Sequence, residues 1–126
     1  MKTEIQGRGY QAEQMVVDYL TQQGYTICAR NYCIRAGEVD IIARKAEVVS
    51  FVEVKMRSKR YFNLSLVVDR SKQRKIIATA LHYAAKNKYT QHVLRFDVAL
   101  VEPNMEDNTF DITFIPNAFT ASESVI

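Results

Sequence analysis

The 126-residue chain has only two cysteines and two histidines, and both shortages narrow what it can be. Cys28 and Cys33 lie five residues apart in a run that reads as a strand. Their Cα atoms should then stand roughly 16 Å apart, beyond the reach of a disulfide. There is no CxxC, and His82 and His92 show no ligand spacing with the cysteines, so a zinc site is excluded. A small buried apolar side chain is the expected role of each thiol. Long apolar runs are also missing: none approaches the ~18 residues of a membrane span. Met1 to Gln6 lacks the apolar core of a signal peptide. The expectation is a cytoplasmic protein with no membrane partner. Repeats, low-complexity stretches and a second domain are absent as well, and the length suits one domain.

Charge is what the chain has, and it is uneven. Net charge is +3, yet all 17 Lys and Arg fall within residues 1–101 against nine acids, a local balance of +8. From Glu102 onward there are five acids and no base. Between Lys55 and Lys75 stand eight bases (Lys55, Arg57, Lys59, Arg60, Arg70, Lys72, Arg74, Lys75) against one acid, Asp69. A solvated helix start next to a basic loop would give the same count. Because the block extends along the chain instead of converging on a point, it suits a phosphate backbone better than an acidic small molecule. Arg57, Lys59, Arg60, Lys72, Arg74 and Lys75 are the candidate nucleic-acid contacts. Tyr61 and Phe62 in the same loop could stack on bases or hold the loop to the core.

Two alternating runs lie ahead of that block. In Glu38–Arg44 the residues Glu38, Asp40 and Ile42 share one side of a strand, with Val39, Ile41 and Ala43 on the other. Val48–Met56 puts Phe51, Glu53 and Lys55 on one side and Val52, Val54 and Met56 on the other. A hairpin turning at Ala46-Glu47 places Asp40 opposite Glu53 and Glu38 opposite Lys55, with Cβ atoms roughly 4.5–5.5 Å apart. A polar outer face with an ordinary Glu38–Lys55 ion pair would show the same alternation. Two facing carboxylates repel, however, and ask for a cation between them.

Around this hairpin the other elements follow in order. Ala12, Met15, Val16, Tyr19 and Leu20 form a helical stripe closed by Gly24, with Thr3 and Gln6 suited to a capping box. Glu13 flanks the stripe, facing water or supplying a third carboxylate to the same cation. Tyr25–Tyr32 reads as a strand, and Gly37 as a turn residue free to take positive φ. A second helix runs from Asp69 or Ser71 to about Lys86, ended by Asn87 in the left-handed region. Val93–Val101 is apolar enough for a central strand, with Arg95 and Asp97 as an ion pair. Phe110–Ile115 is the last strand, stopped by Pro116. Residues 1–116 then form one domain and 117–126 a mobile tail.

With these residues placed, the chain resembles the YraN-like family, small uncharacterised bacterial proteins similar to restriction-endonuclease-like (PD-(D/E)XK) nucleases. The resemblance rests on Gly24-Tyr25, Arg30-Asn31-Tyr32, Gly37-Glu38-Val39-Asp40-Ile41-Ile42-Ala43, Phe51-Val52-Glu53-Val54-Lys55, Arg95-Phe96-Asp97-Val98, and Lys72 with its helix. Ala12 and Asn63 stand where that family usually has glycine, and Val39 stands where the PD motif has proline. The resemblance implies an α/β fold with the restriction-endonuclease-like αβββαβ core, a mixed central sheet flanked by helices on both faces. It further implies Mg²⁺ or Mn²⁺ on Asp40, Glu53 and the Val54 carbonyl, with Glu13 holding the metal through water. Lys55 would orient or deprotonate the attacking water.

The function expected is that of a metal-dependent endonuclease acting on DNA, of branched or single-stranded structure, with no element dedicated to reading bases. A cut through both strands would call for a homodimer. The rival is a non-catalytic nucleic-acid-binding module within a larger DNA-processing complex. A third reading is a protein-interaction domain docking its basic loop on an acidic partner.

Overall fold

The computed structural model describes residues 4–56 and 68–121, the side chains of residues 4–8 and 10 excepted. Helix α1 (Glu4–Gln22) is followed by strands β1 (Thr26–Ile34), β2 (Gly37–Lys45) and β3 (Val48–Met56). Helix α2 (Arg70–Lys86) then leads into β4 (Val93–Asn104) and β5 (Thr109–Phe119). The strands form one sheet in the order β1-β2-β3-β4-β5. All neighbours are antiparallel except β3 and β4, which run parallel. Parallel neighbours need a long crossover, and the chain between β3 and β4 that contains α2 supplies it.

Each helix covers one face of the sheet. On one side Ala12, Val16 and Leu20 of α1 pack on Ile41, Ala43, Val52, Ala99 and Val101. On the other, Ile76, Ile77, Ala80 and Tyr83 of α2 pack on Ile42, Phe51, Phe96, Val98 and Leu100. Burying both sides of β2, β3 and β4 explains why they are apolar in succession rather than alternating with polar residues. Each fully buried Val, Leu, Ile or Phe side chain contributes about 1.5–3 kcal/mol. The expected mixed sheet with helices on both faces is the observed one.

Chain reversals follow local chemistry. Gly24 has φ 94, Tyr25 N–H donates to the Leu20 carbonyl at 2.9 Å and Gly24 N–H to Thr21 at 3.1 Å. That is the Schellman closure of α1. Asp69 caps α2, its carboxylate accepting the Lys72 N–H at 2.9 Å. At the far end Asn87 keeps φ −105, and it is Lys88 that enters the left-handed region at φ 63. The left-handed residue expected at Asn87 is therefore one position later.

Three more expectations are corrected. Gly37 does not have positive φ; it is small because β2 starts against α2. A Cβ there would lie 2.9 Å from the Lys75 carbonyl oxygen, 3.0 Å from Lys75 Cβ and 3.1 Å from Thr79 Oγ1. Gly37→Ala should therefore cost about 1–3 kcal/mol in urea unfolding as helix backbone and strand are forced apart; no loss would mean that the contact yields freely. Second, β5 does not stop at Pro116. It bulges between the Val98↔Ile115 and Phe96↔Phe119 pairs, and resumes. A bulge is where an edge strand tolerates a residue with no N–H to donate. Phe119 is buried and stacks on Phe96 at 5.3 Å, which in turn stacks on Phe51 at 5.8 Å. The domain therefore extends past residue 116, through Ala121 packed on the α2-side core. Third, Cys33 is exposed on edge strand β1, whereas Cys28 packs against that core.

One buried polar network surrounds Asp97 of β4. Asp97 is fully buried and accepts from Ser50 Oγ, from Arg95 Nε at 2.9 Å and Nη2 at 2.8 Å, and from Asn117 N–H at 2.8 Å. Arg95 Nη2 also donates to Tyr25 Oη at 2.6 Å. The expected Arg95–Asp97 ion pair is thus present, tying β3, β4 and β5 to Tyr25 just before β1.

Candidate active site

The hairpin of β2 and β3 has the register the sequence implies, from Lys45↔Val48 to Ile41↔Val52. There the paired residues end. Beyond that point β2 stays paired with β1 as far as Ile34↔Gly37, and β3 stays paired with β4 as far as Met56↔Val101. The sheet forks. Asp40 and Glu53 are the first residues past the last β2–β3 pair, so they stand at the opening of the fork instead of facing each other in a ladder. The alternation of β2 breaks at the same place: Val39 joins Ile42 in the α2-side core, while Ile41 faces α1.

The fork is closed by a side chain. The Val54 N–H donates to Asp40 Oδ2 at 2.8 Å, taking the carboxylate where the strand backbone has turned away. A buried N–H left without a partner would be costly, so this bond holds Asp40 in the gap.

A cavity of about 450 Å³ opens there, with Glu13, Glu38, Asp40, Glu53, Lys55 and Lys72 among its lining residues. Gly9 and Ala12 of α1 also line it, and their small size leaves the space open. Glu53 is 6% exposed. Its Oε1 pairs with Lys72 Nζ at 2.8 Å and Lys55 Nζ at 3.6 Å. Lys55 therefore pairs with Glu53 on its own strand, not with Glu38 across the hairpin. Glu13 comes from α1, its Oε1 buried and without a hydrogen bond among the described residues. Arg30 Nη2 stands 3.9 Å from it.

Burial and then crowding of like charges set the electrostatics. Burial, then the Glu53 charge, and to a lesser degree Glu13 and Glu38, push the Asp40 carboxyl up to about 7 against the opposing Val54 hydrogen bond. Lys55 is pulled below the usual lysine range by the hydrogen bond from Lys72, by burial and by the Lys72 charge. Lys72 moves the other way: burial lowers it, but hydrogen bonds to Glu53 and Lys55 and the carboxylate charges prevail. The cavity thus holds a carboxylate short of positive charge beside an amine of reduced basicity.

The donor set is oxygen-rich, as Mg²⁺ or Mn²⁺ requires. Among the described residues no three His, Cys, Asp or Glu side chains are close enough to hold a metal unaided. Asp40 and Glu53 would have to be completed by the Val54 carbonyl and by water, with Glu13 reached through that water. The unsatisfied Oε1 of Glu13 and the raised Asp40 fit such a cation.

The model of uncharacterised protein family UPF0102 matches residues 12–101. A UPF0102 protein of Clostridium perfringens strain 13 is 36% identical over 120 residues, covering 94% of this chain and 98% of its own. One from Nitrosomonas europaea is 39% identical over 116 residues, covering 91% and 95%. One from Desulfosudis oleivorans is 39% identical over 123 residues, covering 97% of each chain. The chain belongs to UPF0102. The family resemblance read from the sequence is therefore correct, and the family as described carries no assigned activity.

Not every candidate of this UPF0102 chain is at the cavity. Glu13, Asp40, Glu53, Val54, Lys55 and Lys72 line it together. Arg57, Lys59 and Arg60, with Tyr61 and Phe62, lie outside the described residues, as do Thr3 and Asn63. The chain leaves β3 at Met56, itself a lining residue, and returns at buried Val68 just before the Asp69 cap. Lys75 is exposed and borders a second cavity of about 330 Å³, which shares Glu38 and Lys72 with the first. Arg74 is exposed and borders neither of these cavities. Sequence reasoning missed Arg30 beside Glu13; its signal was a charged residue on β1 sixteen positions from Gln14, to which its Nη1 donates at 2.9 Å. Among the described residues no helix is long and apolar enough to cross a membrane.

Proposed function

We propose that this UPF0102 protein is a metal-dependent endonuclease that hydrolyses phosphodiester bonds of DNA, with branched or single-stranded DNA as its substrates. The observation that carries the reading is the forked sheet, which gathers Asp40, Glu53, Lys55 and Glu13 around one cavity. A divalent cation there would lower the pKa of a bound water and offset charge on the scissile oxygens. Asp40 and Glu53 would hold the cation through their carboxylates, and Asp40 is kept in place by the Val54 N–H. Glu13 would orient water through its Oε1, which makes no hydrogen bond among the described residues. Lys55, its basicity reduced, takes or directs the proton of the attacking water as the water oxygen bonds to phosphorus and the leaving oxygen departs. The basic block from Lys55 to Lys75 supplies countercharge for the backbone on either side.

The test is incubation of flap, junction and single-stranded DNA, with single-stranded RNA in parallel, in Mg²⁺ or Mn²⁺. Cleavage should fall at least ~100-fold in Asp40→Asn and in Lys55→Ala. Cleavage that survives both changes overturns the assignment. Binding that needs no metal, weakens steeply with salt and leaves every substrate intact supports the non-catalytic module instead.

A further inference from the structure

Glu53 is an almost fully buried carboxylate with two amines on one oxygen. The closer, at 2.8 Å, is Lys72, and it arrives from a different element than its partner. Its helix is fixed at that height by the Asp69 cap on its own N–H and by the close approach of Gly37 to Lys75. The ammonium therefore reaches Glu53 Oε1 along a flexible four-carbon stem from a rigid base. The Lys72 side chain is 38% exposed, and it borders the second cavity as well as the first. Room to retreat is already present, beside Ser71 and Lys75.

We infer that Lys72 is a resident counter-ion of Glu53, which a divalent cation must displace, and which is thereby released to a substrate phosphate. The inference rests on the metal-dependent reading above and adds a coupling to it. A cation at Asp40 and Glu53 competes with the lysine for Glu53 Oε1, so the ion pair weakens metal binding. Once displaced, the ammonium has lost its carboxylate and gains a phosphate oxygen instead. Metal then tightens nucleic-acid binding, and by linkage nucleic acid tightens metal binding by the same factor. In the absence of metal, the lysine keeps four crowded carboxylates from being short of one more positive charge.

Mn²⁺ titration of the full chain by calorimetry, with Lys72→Met beside the unaltered protein, reads the first half. Lys72→Met removes the charge but keeps the apolar length, and should bind Mn²⁺ at least tenfold tighter, or ~1.4 kcal/mol. Binding of a single-stranded DNA oligonucleotide in Ca²⁺ and in EDTA reads the second. Ca²⁺ should tighten it in the unaltered chain, and that gain should shrink at least threefold in Lys72→Met. Circular dichroism checks the fold, with Lys72→Gln as the substitute should the methionine variant be unfolded. Equal or weaker Mn²⁺ binding by a folded variant overturns the displacement while leaving the metal site standing. If Asp40→Asn binds Mn²⁺ as the unaltered chain does, the metal site itself is misassigned and the inference goes with it.

Discussion

Asp40→Asn should make the metal-free protein more stable at pH 8 than the unaltered chain, although it removes a residue assigned to the reaction. Folding moves the Asp40 carboxyl into a buried gap beside Glu53, with Glu13 and Glu38 near, and raises it from the usual 3.8 to about 7. The folded state therefore takes up a proton that the unfolded state releases. The stability gained from that proton is fully present below about pH 4 and is lost as the pH rises through about 7. One unit corresponds to 1.36 kcal/mol, so the loss is on the order of 2–4 kcal/mol across this window. An amide cannot ionise, yet its oxygen can still accept the Val54 N–H. Urea unfolding in EDTA at pH 5 and pH 8 should show a fall for the unaltered chain and a flatter response for Asp40→Asn. Saturating Mn²⁺ should reverse the ranking at pH 8, because only the unaltered site stabilises itself by binding the cation. An asparagine variant no more stable than its parent at pH 8 would falsify the crowded-carboxylate account.

The second large effect is on the neighbouring strand β4, where Asp97 pairs with Val52. Asp97→Ala is expected to cost about 3–5 kcal/mol, because it strips the partner from Arg95 and leaves Ser50 Oγ and the Asn117 N–H facing an empty site. For a domain of this size that is a fall of roughly 10–20 °C in the unfolding midpoint. Most of the cost is that of isolating a charge rather than of losing an attraction. Removing both partners, as in Asp97→Leu with Arg95→Met, should therefore recover a large part of the loss. Scanning calorimetry on the single and double variants decides it. A double variant as unstable as the single one would mean that packing around β4, not charge, is what the network protects.

Much of this architecture could be read before any coordinates. The β2–β3 register followed from the two-residue turn at Ala46-Glu47, which fixes how the two runs pair. The stripe from Ala12 to Leu20 and the Gly24 closure were equally local. The fork was not. Each strand alternates acceptably when considered alone, and the divergence after Ile41 and Val52 arises from what each strand pairs with on its other side. Lys72 shows the same limit: in sequence it is one base in a basic block, and only the height of α2 over the sheet brings it to Glu53. Pro116 was read as a terminus because proline usually ends a strand, but an edge position with a bulge removes the objection. The site residues were legible as chemistry, and their arrangement depended on tertiary pairing.

The divergence of β2 from β3 has a mechanical side. One acid rides on a ribbon tied to β1, the other on a ribbon tied to β4, and beyond Ile41↔Val52 the brace between them is the bond from Val54 to Asp40. The spacing of the two acids is thus set by the two outer ladders and this one bond, not by direct pairing of β2 with β3. Oxygen ligands sit at about 2.0–2.1 Å from Mg²⁺ and 2.3–2.6 Å from Ca²⁺. On the metal-dependent reading proposed above, this brace rather than a shared ladder would set which of these radii the two carboxylates meet.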